Sequence, residues 1–200
     1  MARVKNIRLG TIAEILIGLP DNRRLELVDA KNMVACNLVQ PNHLGVFNDI
    51  QNTLEIKRQT PIDAEYFIRK DDILLKRLNP VTATLITDDL PDTVFSSNLF
   101  VVRLFRDYRP AYIACLLENQ GISWLSGNIV GSLTAIKSIS IRALAELEIP
   151  VLDWGRQEAI GRMWLLHKKR QRLLGDLMAE DRRLMSAATR SITTSAEEED

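Results

Sequence analysis

The chain has 200 residues and 46% of them are hydrophobic, which suits one compact domain with an appendage and excludes a largely disordered chain. Its 26 Lys and Arg residues are balanced by 26 Asp and Glu residues. Because the formal net charge is zero, composition provides no general attraction to nucleic acid or to a membrane surface. Any surface for nucleic acid must therefore be a local basic patch.

The cysteines, histidines and apolar runs exclude several classes of protein. Cys36 and Cys115 stand among apolar neighbours without the spacing of a disulfide framework or a metal site, so we expect both to be reduced core residues. His43 and His167 are far apart, and a lone histidine is usually a surface or capping residue. No apolar run approaches the roughly 18 residues of a membrane span, and a signal-peptide pattern is missing. We expect a soluble, cytoplasmic protein that binds no metal.

The first part of the chain alternates short apolar segments with polar turns. Residues 8–18 form a short amphipathic element that ends at a glycine. Residues 25–39 alternate in the way of a strand, whereas residues 40–61 are the longest polar stretch and predict a loop, which at this length is usually functional or mobile. Residues 62–78 predict a strand, a turn and a second strand, and residues 81–86 predict another strand.

The pattern changes from strand to helix after residue 105. Residues 95–105 are strongly β-like, with four consecutive apolar residues at their centre. Residues 110–125 begin with a proline and carry apolar residues at helical spacing, which predicts a helix. Residues 127–137 are rich in Gly, Ser and Thr and predict a loop. Residues 140–151 predict a helical turn followed by a short strand.

A long amphipathic helix is predicted from Arg156 to about Ala188. Its apolar positions recur at alternating steps of three and four residues, which is the spacing of a coiled coil. The alternative is an amphipathic helix packed on its own domain, but a length of about 50 Å favours pairing with another helix. Residues 189–200 are polar and end in an acidic run, which predicts a disordered tail. The predicted seam consists of Met163, Leu166, Leu173, Leu177 and Leu184, interrupted by Arg170 and Glu180.

No catalytic constellation is recognisable in the sequence. The glycines at 127 and 131 lack the lysine and the helix context of a phosphate-binding loop, and two histidines leave the serines without triad partners. A methyltransferase motif of the type Asn/Asp-Pro-Pro-Tyr/Phe is also missing. The paired carboxylates at 71–72 and 88–89 are interpreted as solvated turn residues. We therefore predict that the chain is not an enzyme, and an unrecognised active site is the least favoured hypothesis.

Polar and basic residues are concentrated between the predicted strands. Arg and Lys can neutralise phosphates or pair with guanine, Asn can pair with adenine, and Ser or Thr can bond backbone or bases. Each segment taken alone is more typical of a solvated loop, but together they predict a face that recognises a DNA groove. The candidate DNA-binding residues are Arg23, Arg24, Lys57, Arg58, Lys76, Arg77, Asn79, Ser97, Asn98, Thr134, Lys137 and Ser138.

Several segments follow one another in a recognisable order. They are LGTIAEI at 9–15, YFIRKDDILLK at 66–76, SSNLFVVR at 96–103, PAYIACLL at 110–117, GSLTAIKSIS at 131–140 and LAELEIPVL at 144–152. In this order they resemble the target-recognition domain of type I restriction-modification specificity subunits. The family then has Glu-Gln and a long helix; this chain keeps Gln157 and Ile160, but Arg156 replaces the acidic residue.

The resemblance implies a set of partners. In the family, each recognition domain recognises one half of a split DNA target, and long helices space the two halves and dock methyltransferase subunits. This chain resembles one recognition domain with one helix, so it would have to form a homodimer to recognise a two-part site. S-adenosylmethionine would be the cofactor of the methyltransferase partner and not of this chain, and a restriction subunit is left open as a further partner.

The sequence as a whole predicts an α+β fold in three parts. These are a strand-rich target-recognition domain over residues 1–152, a dimerisation or spacer helix over residues 153–188, and an acidic tail over residues 189–200. The predicted function is recognition of double-stranded DNA as the specificity subunit of a complex that methylates adenine. The alternative is a non-catalytic adaptor or defence protein that keeps the fold without recognising DNA.

Overall fold

The computed structural model describes residues 5–20, 33–59, 62–78, 82–105, 107–119 and 139–197. They form a strand-rich α+β domain followed by one long helix, which confirms the predicted fold class. The strands are β1 (Asn6–Arg8), β2 (Ala13–Ile17), β3 (Met33–Val39), β4 (Leu54–Gln59), β5 (Ile73–Lys76), β6 (Ala83–Leu85), β7 (Thr93–Phe95), β8 (Leu99–Leu104) and β9 (Glu148–Pro150). The helices are α1 (Pro110–Asn119), α2 (Ile141–Ala145) and α3 (Trp154–Glu197), and short 3-10 turns cover Leu9–Thr11, Pro41–His43 and Ala64–Tyr66.

The centre of the domain is an antiparallel sheet of four strands in the order β2-β8-β5-β6. Both of its faces are covered. Ile73 and Leu75 of β5 pack with α1 and with Trp164 of α3, whereas Leu74 packs with Phe95 on the opposite face. A strand that is buried on both faces needs apolar residues at consecutive positions, which explains the unbroken apolar runs of β5 and β8.

A second sheet of three strands has the order β4-β3-β7, with β3 antiparallel to β4 and parallel to β7. It joins the central sheet through the chain that connects β7 to β8. There Leu19 forms a bridge with Ser96, and a Cβ atom added at Gly18 would lie 2.1 Å from the carbonyl oxygen of Phe95. Only glycine permits this close approach. A separate ribbon pairs β1 with β9 and brings the start of the domain to the base of α3.

The outer edge of the central sheet, at β6, is occupied by a side chain. The amide of Asn48 donates to the Leu85 carbonyl oxygen at 3.1 Å and accepts from the Leu85 N–H at 2.7 Å. Asn48 has φ of 61°, a left-handed conformation that asparagine tolerates better than most residues. The segment before β4 is therefore fixed against the sheet, although we predicted residues 40–61 as one long loop.

A buried ion pair joins the turn before β5 to β8. Asp72 accepts two hydrogen bonds from Arg103, at 2.8 and 2.7 Å, and one from the N–H of Arg69 at 2.8 Å. The hydrogen bond with Asp72 raises the pKa of the Arg103 guanidinium above its usual value, against the opposing effect of burial. Asp71 has a positive φ and is exposed, as expected of a turn residue. For Asp72, however, the prediction of a solvated carboxylate is wrong, because the side chain is 1% exposed.

The start of α3 is fixed to the domain by side chains on one face. Gln157 accepts from the N–H of Arg109 at 3.0 Å and donates to the Leu152 carbonyl oxygen at 2.9 Å. Gly161 lies against α1, since a Cβ atom there would be 2.8 Å from the Cβ of Ala111. Tyr112 of α1 donates to the Pro150 carbonyl oxygen at 2.7 Å, and burial raises the pKa of its phenol to about 12.

Helix α3 is longer than predicted. It continues to Glu197, so the prediction that the chain becomes a disordered tail from residue 189 is wrong up to that point, and residues 198–200 lie outside the described part. At 1.5 Å per residue its length is about 66 Å. From Asp176 to Ser191 every side chain is exposed. The second part of the helix therefore projects away from the domain.

Several other boundaries also differ from the predictions. Within residues 62–78 only β5 is a strand, and residues 95–105 comprise the end of β7, a turn and β8. Ser140 caps α2 by accepting from the Ala143 N–H at 3.1 Å, as a helical turn at this position requires. Cys36 and Cys115 form no disulfide bond with each other. The Nδ1 of buried His43 accepts from the Gln40 N–H at 3.2 Å, which makes it a capping residue.

Candidate nucleic-acid interface

Four of the predicted DNA-binding residues lie together at one end of the central sheet. Strand β5 ends at Lys76, which is paired with Leu99 at the start of β8. The N–H of Arg77 then donates to the Asn98 carbonyl oxygen at 3.0 Å. Four residues are therefore neighbours although 20 to 22 positions separate the two pairs in sequence: Lys76, Arg77, Ser97 and Asn98. We call this group the sheet-end patch.

The members of the sheet-end patch differ in exposure and in partners. The guanidinium of Arg77 donates to the Ser97 carbonyl oxygen at 2.7 Å and lies 5.3 Å from the centre of the Phe100 ring. It holds the turn between β7 and β8 in place by a hydrogen bond and a cation–π contact. Lys76 and Ser97 are half-buried and Asn98 is exposed. Lys76 and Asn98 are thus better placed than Arg77 to contact another molecule.

Leu19 and Ile139 are bonded to the sheet-end patch through backbone groups. The N–H of Ile139 donates to the Arg77 carbonyl oxygen at 3.0 Å, and the N–H of Ser97 donates to the Leu19 carbonyl oxygen at 2.8 Å. Leu19 and Ile139 lie close in sequence to residues 21–32 and 120–138, respectively, which are outside the described part. The candidates Arg23, Arg24, Asn79, Thr134, Lys137 and Ser138 belong to segments that are not described.

Lys57 and Arg58 lie elsewhere, on strand β4 and not in a loop. Lys57 is exposed and pairs with Ala35 of β3. Strand β3 runs toward the sheet-end patch, where the Ser96 N–H donates to the Val39 carbonyl oxygen at 3.0 Å. Ala35 precedes Val39 by four residues, which is about 13 Å along a strand. The structure therefore does not place Lys57 and Arg58 with the sheet-end patch.

The predicted apolar seam of α3 faces away from the domain. The side of α3 that faces the domain carries Gln157, Trp164, Lys168 and Gly175. Nine residues after each of these positions stands one leucine of the seam, in the order Leu166, Leu173, Leu177 and Leu184. Nine residues are two and a half helical turns, so the leucines lie on the opposite side. Met163 and the four leucines are between 57% and 68% exposed. We call these five residues the helix seam; the alternative that they pack on the same domain is wrong.

A buried charged cluster between α1 and α3 is absent from our sequence predictions. Glu118 of α1 accepts from the indole N–H of Trp164 at 2.6 Å and from the ammonium of Lys168 at 2.5 Å. Lys168 also donates to the Val46 carbonyl oxygen at 2.8 Å. Trp164 and Lys168 continue the helical face of Gln157 and Gly161 at steps of three and four. That spacing could have identified the side of α3 that packs on the domain. It could not have identified the partner Glu118, which is 50 positions away from Lys168 in sequence.

The described residues offer neither a metal-binding group of three or more His, Cys, Asp or Glu side chains nor a helix long and apolar enough to cross a membrane. The polar groups described above form ion pairs, such as Asp72 with Arg103, and helix caps, such as Ser140, within the domain. The sheet-end patch carries an ammonium, a hydroxyl and a side-chain amide, which are groups that can form hydrogen bonds with another molecule.

Comparisons with known proteins show what the fold resembles. No family model and no curated protein matches the sequence. Among solved structures, the HsdS subunit from Thermoanaerobacter tengcongensis matches 88% of this chain with a TM-score of 0.64 and 17% identity. A chain from a study of complex assembly and conformational transition of the type I R-M system matches 90% with a TM-score of 0.66 and 17% identity. The type I restriction-modification S subunit from M. genitalium matches 90% with a TM-score of 0.56 and 14% identity.

This chain covers 45%, 47% and 43% of those three chains, respectively, so it spans a little less than half of their length. The similarity includes both the strand-rich domain and the long helix, since about nine-tenths of this chain is matched. The chain therefore has the fold of type I restriction-modification S subunits, over somewhat less than half of such a subunit.

Proposed function

We propose that the chain recognises a DNA sequence as the specificity subunit of a restriction-modification complex. The observation that carries this proposal is the match to S subunits over about nine-tenths of the chain. The sheet-end patch supports it, because it groups predicted contact residues that are far apart in sequence. The chain itself is non-catalytic in this proposal, and S-adenosylmethionine is bound by a methyltransferase subunit that docks on the complex.

Within the sheet-end patch, each side chain has a distinct role in this proposal. The ammonium of Lys76 neutralises a phosphate or donates to guanine, and the amide of Asn98 pairs with adenine in the major groove. Arg77 contributes indirectly, because it holds the turn that presents Ser97 and Asn98. A local patch of this kind fits a chain with zero net charge, since it needs no overall positive field.

We further propose that two copies pair through the helix seam in an antiparallel, two-fold arrangement. About Gly175, the seam has the same spacing in both directions: Leu166 corresponds to Leu184, Leu173 to Leu177, and Arg170 to Glu180. A two-fold interface requires this self-complementarity. Burial of each leucine contributes roughly 1.5–3 kcal/mol, which outweighs the desolvation of one Arg and one Glu in the seam. The two recognition domains would then lie at opposite ends and contact two half-sites.

The test is to isolate the chain from its native cells, identify co-purifying proteins by mass spectrometry, and select bound DNA sequences with that complex. A co-purifying methyltransferase and an enriched two-part sequence are the expected results. Substitution of Lys76→Ala should weaken binding of all sequences and reduce its salt dependence, whereas Asn98→Ala should cost about 1–3 kcal/mol and relax one base position. Lys70→Ala is the matched control because Lys70 is exposed in the turn before β5, at the opposite end of that strand from Lys76.

Two results would contradict the proposal. The first is a complex in which the Lys76→Ala, Asn98→Ala double variant methylates the same sites at the wild-type rate. The second is purification without a methyltransferase and without any enriched DNA sequence, which favours the alternative of an adaptor that keeps the fold. Methyl transfer by the purified chain alone, with S-adenosylmethionine added, would show that the chain is an enzyme.

A further inference from the structure

The buried cluster of Glu118, Trp164 and Lys168 joins three separate parts of the chain. Glu118 is the penultimate residue of α1, and Trp164 and Lys168 belong to α3. Val46, which accepts a hydrogen bond from Lys168, belongs to the segment between β3 and β4. The Glu118 and Lys168 side chains are 13% and 8% exposed. A short ion pair shielded in this way is poor evidence of net stability, because desolvation cancels much of its attraction, but its hydrogen bonds are directional.

The cluster lies at the point along α3 where the helix leaves the domain, so its contacts affect the direction of the helix relative to the domain. Gln157 and Gly161 hold the first two turns, and Lys168 is the last fully buried side chain of the helix in its described part. Beyond it, Arg172 lines a cavity together with Asn48 and Leu90, and an added Cβ atom at Gly175 would lie 3.6 Å from the Phe47 ring. Residues 176–197 then project over about 33 Å.

A small change of direction at this point becomes a large displacement at the far end. A tilt of about 10° would move the end of the projecting segment by about 6 Å. This is close to two base-pair steps, each of which is about 3.4 Å along the DNA axis. The angle of the helix relative to its domain therefore contributes, together with the helix length, to the distance between two recognition domains.

We propose that the Glu118–Lys168 pair, with Trp164, sets the angle between helix and recognition domain and thereby determines the spacing between the two DNA half-sites. This proposal rests on the function and the dimer proposed above. The three residues are positioning residues, since none of them lies at the sheet-end patch or in the helix seam. They determine which spacing is accepted and leave the sequence of each half-site unchanged.

The experiment uses the complex that carries out target methylation and a panel of DNA duplexes. Each duplex holds the two selected half-sites, and the spacer between them varies one base pair at a time. The variants are Lys168→Met, Glu118→Gln, which keeps the shape of the side chain and removes its charge, and Trp164→Phe, which removes the indole N–H donor together with part of a buried ring. Lys169→Met is the matched control, because Lys169 is exposed on the same helical turn. Thermal unfolding identifies any variant that fails to fold, and the isosteric Glu118→Gln variant then provides the result.

A second measurement reports the helix direction without DNA. Spin labels at Lys57→Cys and Ser186→Cys, in a chain with Cys36→Ala and Cys115→Ala, give the distance between the domain and the projecting helix. The doubly labelled chain is diluted with unlabelled chain so that only distances within one chain are measured. Lys57 and Ser186 are both exposed, so the labels replace no packing contact.

For the wild type and Lys169→Met we expect one preferred spacer and a narrow distance distribution. For the three cluster variants we expect unchanged half-site sequences, tolerance of spacers about one or two base pairs longer or shorter, and a broader distance distribution. An unchanged spacer preference together with an unchanged distance distribution in the cluster variants overturns the proposal. A wild-type complex that binds no specific DNA overturns the proposed function instead, and the label distances then show whether the cluster fixes the helix direction.

Discussion

Lys76 and Arg77 are neighbours in sequence, but their side chains have different environments. The guanidinium of Arg77 bonds the Ser97 carbonyl oxygen and contacts the Phe100 ring, and Lys76 is half-buried at the end of β5. From the sequence alone, both are predicted as equivalent DNA-binding residues. The structure makes a distinction that the sequence could not, because a strand pattern shows alternation and not the partner of each side chain.

Arg77→Ala should lower the free energy of unfolding by about 1–3 kcal/mol, because a hydrogen bond from a charged group and a cation–π contact are lost. Lys76→Ala should change it by less than about 0.5 kcal/mol, as is usual for a substitution away from such features. Urea denaturation of both variants measures the difference. Equal losses in the two variants would show that Arg77 does not hold the turn between β7 and β8.

The thiol of Cys115 in α1 is partly buried. Burial raises the pKa of its thiol, with the hydrogen bond from Asn119 acting in the opposite direction. A raised pKa means less thiolate at a given pH, and the thiolate is the reactive form. Alkylation of Cys115 at mildly alkaline pH should therefore be slower in the folded chain than in urea, and a Cys36→Ala chain isolates its rate. Equal rates in the two states would contradict the buried environment.

Among the elements, the contact between α1 and α3 depends on Gly161. An added Cβ atom would lie 2.8 Å from the Ala111 Cβ and 2.9 Å from the Tyr112 backbone nitrogen, and backbone cannot move aside cheaply. We expect Gly161→Ala to destabilise the chain by about 1–3 kcal/mol, as overpacking does. Gly175→Ala is the control, because its Cβ would meet the Phe47 ring at an ordinary 3.6 Å.

The two glycine variants should therefore change the free energy of unfolding in opposite directions. Alanine is preferred to glycine inside a helix by about 1 kcal/mol, so Gly175→Ala should raise the free energy of unfolding. Thermal or urea unfolding of both variants provides the comparison. If Gly161→Ala is also stabilising, then α1 and α3 are not in the close contact that the structure shows.

The strands were predicted well where burial is two-sided and poorly where a strand is exposed. β5 and β8 have unbroken apolar runs, and both were located from the sequence. β4 was missed, because its sequence LEIKRQ is mostly polar and only Ile56 is packed against the core of the three-stranded sheet. The sheet-end patch was predicted residue by residue, but its grouping depends on the pairing of β5 with β8, which no local pattern contains.

At the scale of the whole molecule, the long helix and its apolar seam were predicted from spacing alone, and the exposure of the helix seam agrees with use by a partner. The Glu118–Lys168 pair could not be predicted, because it depends on how α3 docks on α1. The end of the helix was misplaced by nine residues, since polar composition after residue 188 does not by itself end a helix.

If two copies pair through the helix seam, Leu173→Asp combined with Leu177→Asp should convert a dimer to a monomer. Each substitution places a carboxylate in the centre of an apolar interface, where an unpaired charge is costly. Light scattering at micromolar concentration measures the mass. Gln171→Asp with Arg182→Asp is the control, because both residues lie away from the helix seam. A wild-type chain that is already monomeric would contradict pairing and leave the helix as a docking element for another protein.

The side chain of Asn48 has a consequence for the chain in a crowded solution. A free sheet edge presents N–H and carbonyl groups that a strand of another molecule can add to, and this is a common start of aggregation. At β6 the Asn48 amide already satisfies both backbone groups of Leu85, the last residue of the strand, so this position offers no template for such growth. We therefore expect this end of the edge to resist pairing with a strand of another molecule.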